Sequence, residues 1–418
     1  MNSRMDHITE LSLTSVKSKS TCFTDGSLLM PIIDLGMQPF ADTFVTEERY
    51  HLGEPIFPLE VGLCQKCGLA RLLYETKEED RYNLFDYSYT SSNSGFSRSH
   101  WDAFAEEMGL REDVDARSVL EIGSNDGYLL KRFMNLGSST LGVDASRHMV
   151  SKCNDLGIDA IAGTFSSEFV DSNRNRLGEP TLIVANNVLN HSNNPVDFLL
   201  AARSLLAPNS RLVFEVPYWA NTVKDGKFDQ IYHEHVTYFT ISNLKAMLKA
   251  CDLKILSLEI VDYHGGSLRV VCGPTQAAQQ SSYEHLEELE RNLALSDKNT
   301  YVEYEARIRR DRSKMLQALH LAKLSTPESK VIGLGAAAKG NTLLNYYGLT
   351  RTLVDFVTDS SPDKKGKYTP VSRIPILGDD EIAKFGNSSI FFVLSWNLRE
   401  KLISQARQLA GGEIRILN

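Results

Sequence analysis

From residue 118 onward, short apolar runs alternate with stretches of helical periodicity. Runs at 118–122, 140–143, 181–184, 211–216, 253–261 and 267–272 predict buried strands, with helices at 128–135, 195–206 and 242–251 between them. Such alternation predicts an α/β fold around a mostly parallel sheet. Ahead of it, 96–108 reads as an amphipathic helix, and strand-like runs at 28–35 and 58–63 stand among turn residues, Gly36 and Pro39 ending the first. Residues 1–20 have no periodicity and read as a frayed tail. The segment 80–100, rich in Tyr, Ser and Asn, suits neither helix nor strand and reads as a loop lying over something. It is either a wall of a substrate cleft, with Tyr87 or Tyr89 offering a hydroxyl, or a packed connection. Between 276 and 325 the pattern is charged and helical, predicting one or two linking helices. A further strand-turn-helix opens at 330, and runs at 353–357, 389–394 and 413–417 complete a second, smaller Rossmann-like unit.

The totals add boundaries to this picture. With ~150 residues per domain, 418 residues imply two or three domains. We place a small N-terminal domain at 1–80, an α/β core at 81–275, a helical linker at 276–325 and a C-terminal Rossmann-like domain at 326–418. A formal charge of −8 without a basic run speaks against a nucleic-acid partner. No apolar run reaches the ~18 residues of a membrane span, and Met1 to Ser20 lacks a signal-peptide core, so a cytoplasmic location without membrane contact is expected. Six cysteines do not make a disulfide framework in a chain this long, and three of them near the N-terminus suggest a metal.

The chemistry concentrates where the first predicted strand ends, at Glu121-Ile122-Gly123-Ser124-Asn125-Asp126-Gly127. A pyrophosphate wants the bare amides and positive pole of a helix N-terminus, and a carboxylate there competes with it. Here the glycines are spaced G-x-x-x-G rather than G-x-G-x-x-G, and the turn carries Asp126 beside the strand residue Glu121. Those acids suit the sulfonium and ammonium of S-adenosylmethionine, which has no phosphate. Asp144, ending the second strand, can accept both ribose hydroxyls. A plain strand-turn-helix with a surface Asp is the bland alternative.

Beyond later strand ends stand Asn186, Asn187, Asn190 and His191, then Tyr232-His233-Glu234-His235, then Tyr263-His264-Gly265-Gly266-Ser267-Leu268-Arg269. If extended, His233 and His235 point to the same side, which suits a metal, acid/base work or structural hydrogen bonds. A histidine near its usual pKa of ~6.5 is poised as a base at neutral pH, and a neighbouring Glu fixes its tautomer. Cys64-Gln65-Lys66-Cys67-Gly68 is half of a small zinc knuckle, while the expected second half reads Cys22-Phe23-Thr24-Asp25. Either Asp25 supplies the fourth ligand as an oxygen or another residue closes the site; three buried thiols in a lapsed fold is the metal-free reading. With no base nearby, the zinc is structural. The second Gly-rich turn, Gly333-Leu334-Gly335-Ala336-Ala337-Ala338-Lys339-Gly340-Asn341-Thr342, has no acid and carries Lys339, so it suits an anion such as a pyrophosphate, unless it is a decayed unit kept for packing.

In order and motif the chain resembles the sugar C-methyltransferase family acting on nucleotide-linked 4-keto-deoxysugars. The resemblance rests on Asp34 to Pro39, Cys64 to Leu69, Tyr87 to Ser92, Glu121 to Gly127, Tyr232 to His235, His264 to Arg269 and Ala338 to Tyr346. One position departs: the family pattern has Cys where this chain has Asp25. The resemblance implies a methyltransferase core holding S-adenosylmethionine through Glu121, Gly123, Asn125, Asp126, Gly127, Asp144 and Asn186, and zinc on Cys22, Asp25, Cys64 and Cys67. It implies His235 as base, with Glu234 and Tyr232 orienting it or relaying the proton, and His191 with Tyr87 or Tyr89 at the sugar. His264, Arg269, Lys339 and Asn341 are expected to bind the substrate, whose nucleotide diphosphate lies between core and C-terminal domain.

The implied reaction is methylation at C3 of a nucleotide-linked sugar, a deoxythymidine-diphosphate sugar in the family, by a monomer. O- or N-methyl transfer to a sugar or small metabolite is the alternative; it needs no enolate and so tolerates loss of His235. A zinc-bearing nucleic-acid module is the reading from another class, and the acidic balance opposes it.

Overall fold

The computed structural model describes residues 17–83, 90–92, 94–277 and 282–417, so Tyr87 and Tyr89 lie outside the described residues. The N-terminal strands are β1 (Lys17–Ser18), β2 (Met30–Pro39), β3 (Ile56–Leu63), β4 (Ala70–Leu72) and β5 (Tyr74–Glu75). Gly36 does not end β2 as expected; its φ of 73° is one that glycine adopts freely, so the strand bends there and continues to Pro39.

The central strands are β6 (Ser118–Ile122), β7 (Ser139–Asp144), β8 (Ala160–Ala162), β9 (Leu182–Val184), β10 (Arg211–Pro217), β11 (Thr237–Tyr238), β12 (Leu253–Val261) and β13 (Ser267–Pro274). Seven of these form one sheet in the order β12-β13-β10-β9-β6-β7-β8. Strands β6 to β10 pair in parallel, while β13 runs antiparallel to both β10 and β12. From β6 the chain builds outward on one side through β7 and β8, then returns to add β9 and β10 on the other. The gap between β6 and β9 is therefore a switch point, where a crevice opens beyond the carboxyl ends. β8 was not anticipated: Ala160-Ile161-Ala162 carries a single large apolar side chain. β11 lies in a separate sheet of order β11-β4-β3-β2.

The helix Gly95–Leu110 buries Trp101, Phe104, Ala105 and Met108, a spacing that puts them on one face. They pack with Val119, Leu129, Phe133, Leu182, Val184 and Val213 from the sheet and the Tyr128–Asn135 helix. At ~1.5–3 kcal/mol for each large side chain buried, this cluster holds β6 and its following turn rigidly.

The last strands, β14 (Val331–Leu334), β15 (Phe356–Thr358), β16 (Ile376–Leu377), β17 (Ile390–Val393) and β18 (Arg415–Ile416), form a parallel sheet of order β16-β15-β14-β17-β18. It repeats the inner order of the central sheet and has its own switch point between β14 and β17. The charged stretch forms the helices Glu284–Leu293 and Lys298–Ser325. The described chain falls into two compact units. The first comprises residues up to Ile32, Val61–Lys224 and Glu234–Thr300; the second comprises Ile33–Glu60, Asp225–His233 and Tyr301–Asn418.

Candidate active site

In the first unit the turn after β6 is built by backbone geometry. Gly123 (φ 76°) and Gly127 (φ 77°) hold left-handed conformations, and a Cβ on Gly123 would stand 2.1 Å from Val188 Cγ2. The amides of Gly123 and Ser124 donate to Val143 O at 2.7 and 3.2 Å, laying the turn across the end of β7. There Asp144 accepts from Asn125 N through Oδ2 and from Ser146 N through Oδ1, both at 2.8 Å. These bonds orient the Asp144 carboxylate at the crevice mouth, where the sequence placed the ribose acceptor.

Electrostatically the crevice gathers acids. Burial, and then the charges of Asp126 and Asp144, push the Glu121 carboxyl well above the usual range. Asp144 is pushed up to about 6, chiefly by burial, against the opposing pull of the Ser146 and Asn125 amides. Glu121 Oε2, Ser124 Oγ and both amide atoms of Asn186 are buried with no hydrogen-bond partner among the described residues. Unpartnered acceptors beside clustered carboxylates fit a cationic nucleoside with hydroxyls to donate. Asp126 is placed differently from the expectation. Its Oδ2 accepts from Ser92 N at 3.2 Å and Ser92 Oγ at 2.5 Å, and Asn125 Oδ1 accepts from Ser91 N at 2.9 Å. The acid thus pins the Ser-rich segment onto the turn, and Glu121 is left as the carboxylate with an open oxygen.

Beyond β9, His191 is half-buried and shares a 2.7 Å hydrogen bond between Nδ1 and Tyr82 Oη. Its carbonyl accepts from Arg81 Nη2 at 2.8 Å. Burial, followed by repulsion from His235, Arg81 and His264, drives its pKa well below the usual value, so the ring is neutral at physiological pH. The His235 ring lies 5.1 Å away. His191, His235 and His264 are thus brought together, while His264 packs at 4.3 Å on Tyr263. Arg81 and Tyr82 were missed as site residues; they lie on the short helix Glu78–Asn83, inside what read as loop.

The Tyr-His-Glu-His run is a turn rather than a strand, so His233 and His235 do not share a face. His233 belongs to the second unit, where Nε2 is 3.3 Å from Pro58 O and the ring meets Phe40 and Phe57 edge-on. Arg269 is another departure. It is buried against Glu215, with Nε to Oε1 at 2.8 Å, and its Nη1 reaches Glu107 and Glu259. Three carboxylates occupy the guanidinium, so it locks β10 to β13 instead of meeting a substrate.

Cys22, Asp25, Cys64 and Cys67 place their ligand atoms within 4.8 Å of one another. The Cys22 and Cys67 sulfurs are 3.5 Å apart, and Cys64 Sγ is 3.7 Å from Asp25 Oδ2. Those separations match the edges of a tetrahedron with zinc–sulfur bonds of ~2.3 Å and zinc–oxygen bonds of ~2.0–2.2 Å, so the four residues fit zinc. The Cys22 thiol is lowered to about 5, chiefly by its hydrogen bond with Cys67, whose own thiol is raised. Both must be thiolates on a metal.

In the second unit Lys339, on the helix Ala338–Tyr347, is buried with Nζ 3.3 Å from Asn397 Oδ1 and 4.9 Å from the Trp396 ring centre. Burial pulls its pKa down to about 8 against the opposing charge of Asp229, itself pushed up to about 6 by burial. Asn341 donates its side-chain amide to Ala41 O at 2.6 Å, tying the helix to its own unit. A buried cation beside a helix N-terminus remains suited to an anion.

Family models tile nearly the whole chain: a zinc binding domain over residues 23–82, a methyltransferase domain over 96–258 and a C-methyltransferase C-terminal domain over 262–417. The protein is therefore an S-adenosylmethionine-dependent methyltransferase with a zinc-binding N-terminal region. C-methyltransferase NovU of Streptomyces niveus is 29% identical over 386 residues, spanning 91% of this chain and 90% of that protein. These matches make the chain a C-methyltransferase, one that forms its new bond to carbon. Solved structures similar to it include an S-adenosylmethionine-dependent methyltransferase of Clostridium acetobutylicum (14% identity, 42% of this chain and 92% of that one, TM-score 0.35). The PH0226 protein of Pyrococcus horikoshii is another (13% identity, 45% and 95%, TM-score 0.36). Among the described residues no helix is long and apolar enough to cross a membrane.

Proposed function

We propose that the chain methylates C3 of a nucleotide-linked 4-keto-deoxysugar through an enolate, with His235 as base. The observation that carries this reading is the pair of imidazoles beyond β9: His191, held neutral by burial, and His235 with ring centres 5.1 Å apart. A ketone makes the adjacent C–H acidic enough for an imidazole base, whereas transfer to oxygen or nitrogen needs no carbanion. S-adenosylmethionine supplies the methyl group as an electrophile when bound. His235 takes the C3 proton onto a ring nitrogen. The electron pair left behind spreads onto the C4 oxygen, then returns to C3 as the new carbon–carbon bond forms and the methyl's bond to sulfur breaks, its electrons staying on sulfur. Neutral His191, fixed through Nδ1 by Tyr82, can donate through Nε2 to the developing oxyanion if it carries its proton there. Glu234 and Tyr232 are adjacent to relay the proton from His235 to solvent. Lys339 is suited to the diphosphate of the acceptor, and Tyr87 or Tyr89 to its sugar.

The test is solvent exchange on a panel of nucleotide 4-keto-sugars. In deuterated water, without methyl transfer, the enzyme should wash deuterium into C3 of its substrate. His235→Asn should slow both exchange and methylation by about a hundredfold or more, with S-adenosylhomocysteine still bound. Methylation that proceeds at full rate in His235→Asn, without washout, would sink the proposal.

A further inference from the structure

The Val236 backbone is held from both sides. Its N–H donates to Asn190 O at 2.8 Å, next to His191, and its carbonyl accepts from Leu72 N at 2.9 Å. Leu72 belongs to β4, the strand that leaves the Cys64–Cys67 knuckle after two residues. One residue later β11 continues the ladder, with Thr237 opposite Arg71 and Tyr238 opposite Ala70. On its other edge β4 pairs with β3, the strand that enters the knuckle, Gly62 standing opposite Arg71. Asn243, which completes the Thr240 capping box of the helix after β11, also donates to Gly68 O at 3.4 Å. His235 thus immediately precedes a residue whose two backbone groups bridge the His191 turn and the metal knuckle.

Arg71 joins the metal loops to that ladder. It is almost wholly buried, its guanidinium lies 3.7 Å from the centre of the Phe23 ring, and it pairs with Glu75. Phe23 is flanked by the ligands Cys22 and Asp25, and Arg71 is electrostatically coupled to the Cys22 sulfur. Zinc with three thiolates and a carboxylate carries a net negative charge, which a buried guanidinium offsets.

We propose that the zinc knuckle sets the position of His235 against His191, with Arg71 as the positioning residue that transmits it through β4 to Val236. The inference rests on His235 being the base, but its first readout does not. The Leu72 and Val236 amides are the two bonds through which the position is passed. Metal loss should open them locally, while the ladder between β6 and β7 stays closed.

Amide hydrogen exchange on the full chain, with zinc and after chelation, tests this. At Leu72 and Val236 exchange should accelerate by about tenfold or more on chelation. Amides of Ile122 and Val143, and binding of S-adenosylhomocysteine, should hold. Phe23→Leu, which keeps the ligands but removes the ring under Arg71, should retain one zinc and its cofactor KM while kcat falls by about ten- to a hundredfold, the scale of an ångström's misplacement. Unchanged exchange at Leu72 and Val236, or equal loss of protection throughout the unit, would overturn the proposal. So would full kcat in Phe23→Leu. Failure of the enolate reading would show as absent washout in the zinc-loaded enzyme and would leave the exchange result intact.

Discussion

At the scale of residues, the crevice is defined by acids that are poorly placed until a cation arrives. Burial, and then the charges of Asp126 and Asp144, raise the pKa of Glu121 and so favour its neutral form. Glu121→Gln should therefore leave the melting temperature unchanged or raise it, because a buried carboxyl is replaced by a neutral isostere. It should weaken S-adenosylmethionine by about tenfold and S-adenosylhomocysteine much less, since the latter lacks the sulfonium charge. Calorimetric titration with both ligands checks this, and equal losses would count against a sulfonium role. Asp144 gives a pH dependence of known sign. Its carboxyl is raised to about 6, and accepting two hydroxyls requires the anion. Below pH 6 the ligand must expel a proton, so S-adenosylhomocysteine affinity should fall by up to about tenfold per pH unit and level off above. The fold responds in the opposite sense: a raised carboxyl adds stability to the empty protein as pH falls from about 6 toward its unfolded value, and loses it as pH rises again. Asp144→Asn should abolish the pH slope in binding.

At the scale of elements, what could be read from the sequence was whatever depends on neighbours along the chain. Strand β6, the glycines of its turn and Asp144 lie within 27 residues, and β12 came out at its expected limits, because period and turn chemistry are local. The knuckle was legible for the same reason: two cysteines at fixed spacing must converge. The other parts of the site are relations across the chain. Tyr82 meets His191 over a separation of 109 residues, and no pattern in either segment announces it. Arg269 was expected to bind the substrate, yet Glu215 stands opposite it in the β10–β13 register and claims the charge. His233 and His235 look like a pair in sequence, but a turn divides them. Asp25, where the family pattern has Cys, is a local feature with a testable consequence. Asp25→Cys should restore a four-thiolate site and raise zinc affinity in competition with a chromogenic chelator, while Asp25→Ala should lower it. Equal zinc affinity in the three proteins would show that the fourth ligand lies elsewhere.

At the scale of the whole molecule, the same parallel order occurs twice, and its two turns differ in charge. After β6 the turn is lined by Glu121, Asp126 and Asp144; after β14 the following helix carries Lys339 in its first turn. A shared topology gives each unit a crevice, but the charge decides which ligand it admits. On our proposed assignment the acidic crevice takes the cationic methyl donor. In the other unit, Lys339 is buried and held near a pKa of about 8, so most of it is still charged at neutral pH, with Asp229 as an opposing charge. If its ligand is the diphosphate of the acceptor, Lys339→Met should raise the KM for the nucleotide sugar by about ten- to a hundredfold, the scale of one charge-assisted hydrogen bond. The KM for S-adenosylmethionine and the rate of C3 exchange at saturating sugar should stay near wild type. Two units with separate tasks predict this split between substrates. A variant that lost donor and acceptor binding together would instead mean that Lys339 supports the fold, with Asp229 left as an uncompensated buried acid.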